Sequence, residues 1–141
     1  MGIPNNDGMV NPGVVIALTA ATANLSMAAL DFAIARAPGW RIARLFAGMA
    51  LTAGLYNILN AVYCIAGMSD AVYLAAGRLS YLAGTLQAVL WLVYAYSDSN
   101  GSLRKAPRSV RWVTVSAVAA GVVFAATGWL LKTSISPVRV A

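Results

Sequence analysis

The chain has 141 residues, of which 60% are hydrophobic and 10% charged, with a net charge of +6. A soluble domain carries about 25% charged residues, and a chain this short cannot bury so much apolar surface from water. Composition therefore excludes an ordinary soluble domain. Histidine and glutamate are absent and the only carboxylates are Asp7, Asp31, Asp70 and Asp98, which rules out a Ser-His-Asp triad, a histidine metal site and a paired-glutamate acid/base site.

Four apolar runs follow in chain order, from about Pro12 to Ile34, Ile42 to Ala66, Ala71 to Tyr96 and Val110 to Leu131. Each approaches or exceeds the roughly 20 residues needed to cross about 30 Å of hydrocarbon. The first connection, "ARAPGW", has Pro38 and Gly39 to stop one helix and start the next. The second, "GMSD", is a tight turn in which Asp70 is placed to cap the third helix. The third, residues 97–109, is polar and basic. Short connections force consecutive helices to lie antiparallel and adjacent. The expected fold is an all-α membrane protein, a single domain over 1–141 in which four transmembrane helices form an up-down antiparallel bundle.

Positive residues cluster at the ends of these runs, a topology pattern rather than a nucleic-acid-binding face. Arg36, Arg41 and Arg44 flank the first connection; Arg104, Lys105, Arg108 and Arg111 lie in or just beyond the third. The amino-terminal tail and the second connection carry none. The positive-inside rule then places the first and third connections in the cytoplasm and both termini outside. Trp40, Tyr94, Tyr96 and Trp112 fall near the inner interface and Trp129 near the outer one. No basic region precedes the first run, so a cleaved signal peptide is not expected. The "NGS" sequon at Asn100 falls on the cytoplasmic side of this topology. Lone Cys64 sits in an apolar run, cannot form an internal disulfide and reads as a buried packing residue.

Polar residues inside the runs are the candidate functional groups. Asn60 and Asn57 lie about nine and eleven residues before the Met68–Ser69 turn and Arg78 about nine to ten after it. In a tight hairpin all three sit roughly 13–17 Å from the turn. Tyr81 shares a face with Arg78 by its i,i+3 spacing, and Gly54, Gly77 and Gly84 offer close approach of the two backbones. Two readings of this Asn57, Asn60, Arg78 and Tyr81 cluster stay open. One is an arginine snorkelling to the outer headgroups while the amides join helices; the other is a small polar site for an anionic or hydrogen-bonding ligand. Asp31 and Arg44 are the candidate ion pair, with a proton- or cation-coupling role for Asp31 as the rival. No catalytic residue, metal ligand or cofactor site is indicated.

The segments "APGWRIARLFAGMALTAGLYNILN" (37–60) and "DAVYLAAGRLSYLAGTLQAVLWLVYAYS" (70–97) carry a further signal. They share a Pro-Gly-Trp-Arg connection, an arginine a turn or two into the next helix, and an aromatic close. Over roughly residues 12 to 132 the chain resembles the amino-terminal part of the seven-helix membrane input region of bacterial sensor histidine kinases and diguanylate cyclases. That resemblance implies an outside amino terminus, a bacterial inner-membrane location and sensing without catalysis. The family's three further helices and output domain have no counterpart within these residues. The expected function is thus a signal-input module or a fragment of one, not an enzyme. The alternatives are a small oligomeric transporter and a structural subunit of a larger membrane complex. Expected partners are membrane lipids and other membrane helices, from a homo-oligomer or from further segments of a longer protein, and not nucleic acid.

Overall fold

Pro12 opens the first helix at the one place where a missing N–H costs nothing. In the computed structural model, which describes residues 11–65, 67–97 and 106–127, Asn11 is the N-cap. Its Oδ1 accepts from the Gly13 N–H at 2.8 Å. Helix α1 spans Pro12–Ile34, α2 Ala43–Tyr63, α3 Asp70–Tyr96 and α4 Arg108–Thr127. All four are long and apolar enough to cross a bilayer, the architecture of a multi-pass membrane protein.

The connections depart from expectation in detail. Gly39 has φ of +83° in the first and Gly67 +81° in the second, a left-handed conformation that favours glycine. Helix α2 closes at Tyr63 with Cys64 as its C-cap, short of the expected end at Ala66, which lies outside the described residues. The N-cap of α3 is Ser69, which makes no side-chain cap bond. Asp70 is the first helical residue instead, where its charge favours the helix dipole rather than closing the cap. Helix α4 begins at Arg108 rather than Val110, because the Pro107 carbonyl accepts from the N–H groups of Val110 and Arg111. Its expected extension to Leu131, along with Arg104, Lys105 and Trp129, lies outside the described residues.

Packing follows chain order: α1 lies on α2, α2 on α3 and α3 on α4, while other pairs meet marginally at most among the described residues. Among the described residues the four helices therefore form an open row and not a closed ring. Contacts between opposite helix ends show that neighbours are antiparallel. Asn11 at the start of α1 donates from Nδ2 to the Cys64 carbonyl at the end of α2, at 2.8 Å. Phe46 at the start of α2 meets Tyr94 near the end of α3, ring centroids 4.6 Å apart, and Tyr63 stacks on Tyr73 at 6.0 Å. Gly121 of α4 lies against Thr85 of α3 so closely that a Cβ would fall 2.6 Å from Thr85 Cγ2.

Alanine dominates the buried positions, among them Ala21, Ala28, Ala43, Ala47, Ala61, Ala76 and Ala83. Small residues let backbones approach, which is how helices associate when lipid is as apolar as any leucine. Several threonine hydroxyls inside the helices are satisfied locally. Thr22, Thr52, Thr85 and Thr114 each donate to the carbonyl four residues back at 2.8–3.0 Å.

Candidate functional site

The ring contacts Phe46–Tyr94 and Tyr63–Tyr73 clasp α2 to α3 at both ends. At the second clasp the Tyr73 hydroxyl donates to the Ile65 carbonyl at 2.6 Å, tying the turn down. Between the clasps lies a groove of about 610 Å³. Tyr56, Asn60 and Tyr63 of α2 form one wall, their i, i+4, i+7 spacing setting them on one face. Gly77, Ser80, Gly84 and Ala88 of α3 form a floor of small residues, with Tyr81 and Thr85 beside it. A Cβ on Gly84 would have no neighbour within 4 Å.

The groove's chemistry is that of neutral hydrogen bonding. Three phenols, one amide and the hydroxyls of Ser80 and Thr85 supply donors and acceptors, and no charged residue lines it among the described residues. Asn60 is half-buried and the three tyrosines are exposed. Ser80 departs from the threonine pattern. It is 8% exposed, and its Oγ is buried without a hydrogen-bond partner. The volume falls within the roughly 300–1,000 Å³ of small-molecule sites.

The four residues expected to cluster do not converge. Asn60 and Tyr81 line the groove; Asn57, half-buried, lies outside its lining. Arg78 sits in a separate crevice of about 400 Å³ on the α4 side of α3, with Ala71, Leu74, Ala75, Leu79 and Ala125. The expected depth agrees, since Asn60 shares its cavity with Gly77, the residue next to Arg78. The rotation does not. Three residues turn a helix by about 300°, leaving a 60° offset, and that offset carries Arg78 away from Tyr81 and towards α4. Gly54 also faces elsewhere: a Cβ there would meet Leu25 Cδ2 of α1 at 2.9 Å, so it serves α1–α2 packing rather than α2–α3.

No ion pair joins Asp31 to Arg44 among the described residues. Asp31 is half-buried in the last turn of α1, while Arg44 is exposed. Arg44 lies about 100° around α2 from the buried Ala43, which turns it outward. Asp31 lines neither cavity. Arg36, Arg41, Arg44, Arg108 and Arg111 are all exposed. The antiparallel packing gathers them at one end of the row, opposite the end that carries Tyr63, Tyr73 and Arg78. Cys64 is half-buried at the C-cap of α2, rather than buried in the packing, and its Sγ would stand 2.8 Å from a Cβ on Gly13.

Tyr56, Tyr63, Ser80 and Thr85 are groove residues that the residue pattern did not single out. The stripe Tyr56, Asn60, Tyr63 was the available signal, a polar-aromatic face on an otherwise apolar helix. Comparison with known protein families, with curated proteins and with solved structures returns no match to this chain.

Proposed function

We propose that the chain is a membrane-embedded signal-input module with no catalytic activity of its own, in which the α2–α3 groove takes a neutral, hydrogen-bonding ligand. The groove itself carries this reading: it is a cavity of ligand size between the two clasps of a membrane hairpin, with phenols and an amide around a floor without bulky side chains. The likeness of residues 37–60 and 70–97 to sensor input regions supports it. In this proposal the basic end is cytoplasmic, both termini lie outside, and the membrane is the bacterial inner membrane.

Signalling requires that the ligand bind two arrangements of the helices unequally. A tenfold preference shifts their balance by about 1.4 kcal/mol. Clasps at the two ends of α2–α3 with a gap between them allow such arrangements, since the middle of the seam can close on a ligand without breaking either clasp.

Spin labels at Ile58 and Leu79, both exposed, in a Cys64→Ser background report the α2–α3 distance. Adding a small-molecule extract of the host membrane is expected to shift the distance distribution in the otherwise native chain and not in Asn60→Leu. One unchanged distribution in both proteins defeats the signal-input reading. A second reading, a structural or assembly subunit, draws on the open row, in which α1 and α4 each pack on one neighbour. Unchanged distances together with a multi-chain particle in detergent favour it.

A further inference from the structure

Arg78 presents a different chemistry from the groove. Its guanidinium Nε is buried and has no hydrogen-bond partner among the described residues. Their lining of the crevice around it is otherwise apolar, with Ala71, Leu74, Ala75 and Leu79 of α3 and Ala125 of α4. A guanidinium is permanently charged and planar, and it matches phosphate oxygens in a fork geometry. A positive group in an apolar crevice calls for an occupant that is anionic at one end and apolar along its length.

Depth identifies where the anion would lie. Arg78 stands about 12 Å along the axis from Asp70, the first residue of α3. Helix α3 has 27 residues, a length of about 40 Å against roughly 30 Å of hydrocarbon. With the excess shared between its ends, the Arg78 Cα lies about 7 Å below the hydrocarbon boundary. Helical side chains lean towards the helix N-terminus, which for α3 is the nearer surface. The guanidinium therefore reaches about the hydrocarbon boundary, just beneath the lipid phosphates, and the crevice runs along α3 from Ala71 at the surface to Leu79 and Ala125 beside Arg78.

We infer that the α3–α4 crevice is a binding site for an anionic phospholipid, its phosphate drawn down to Arg78 beside Ala71 and Leu74 and the start of an acyl chain lying against Leu79 and Ala125. The close Gly121–Thr85 contact limits how deep the chain runs between the helices, because at that level a single methyl on Gly121 would not fit. This site goes beyond the groove and does not depend on the groove's ligand.

The test is native mass spectrometry of the full chain in detergent, titrated with phosphatidylglycerol, with phosphatidylcholine of the same chains, and with inorganic phosphate. The native chain is expected to hold phosphatidylglycerol in preference to phosphatidylcholine. Arg78→Gln is expected to weaken phosphatidylglycerol by at least about tenfold, the scale of a charge-assisted contact, and Arg78→Lys to retain most of it. Ala75 is exposed, so Ala75→Phe fills the crevice mouth without disturbing packing, and it too is expected to lose the lipid with Arg78 intact. Equal phosphatidylglycerol binding by the native chain and Arg78→Gln overturns the site; if Arg78→Gln does not fold, equal binding by Ala75→Phe overturns it. Displacement of the lipid by millimolar inorganic phosphate overturns the lipid assignment in favour of a free-anion site.

Discussion

Helix α2 packs on two neighbours and does so in two ways. Towards α1 the seam is close: Gly54 admits Leu25, a Cβ there would also lie 3.5 Å from the Ala21 carbonyl, and Ala43, Ala47 and Ala61 are buried. Towards α3 the rings of Phe46, Tyr94, Tyr63 and Tyr73 meet near the ends, roughly 25 Å apart along α2, and a groove opens in between. Lipid supplies no hydrophobic drive to press helices together. Small residues gain dispersion contacts along a whole seam, whereas large aromatic residues gain them at points and hold the backbones apart elsewhere. Rigid attachment and a ligand-sized gap thus arise on two faces of the same helix.

The contrast can be broken by altering each seam in turn. Gly54→Leu forces a branched side chain into the Leu25 contact and is expected to cost about 3 kcal/mol, the upper range for overpacking, read as a lowered midpoint of equilibrium unfolding in mixed micelles. An unchanged midpoint means that the α1–α2 seam is not close-packed. Tyr73→Phe removes the 2.6 Å bond to the Ile65 carbonyl and is expected to cost about 1 kcal/mol. Faster amide exchange should be confined to the α2–α3 turn; exchange that spreads along α1 would show that the two seams are not independent. Gly84→Ala has the opposite sign. With nothing but its own helix backbone within 4 Å of the new methyl, the gain in helix propensity is expected to stabilise the protein by about 0.5–1 kcal/mol. A loss there means that the groove floor is occupied by packing.

The same contrast explains what could be read from the residues alone. Helix number and approximate span follow from unbroken apolar runs punctuated by Pro38, Gly39 and Gly67, because rise per residue is nearly constant. The common depth of Asn60 and Arg78 follows for the same reason. Facing directions do not. A helix in lipid is apolar on every side, so its pattern does not mark the face that meets a neighbour as it does in water. Residue spacing alone places Gly54 in the α2–α3 seam, Arg78 beside Tyr81 and Arg44 beside Asp31, and the structure differs from each by a rotation about the helix axis. Asp70 is a smaller case: residue type suits both the N-cap and the first turn, and the Ser69 backbone, extended at ψ of 152°, decides between them.

The open row also has a mechanical meaning. In a closed ring of helices a push on one member divides between two routes and is partly absorbed. Here, among the described residues, the substantial contacts link α1, α2, α3 and α4 in series, so a displacement arriving at α1 reaches α4 chiefly through α2 and then α3. Helix α3 carries the groove on one flank and the Arg78 crevice on the other. Whatever wedges into either flank sits directly in the main line of transmission among the described helices, and the two occupants address each other through the thickness of a single helix.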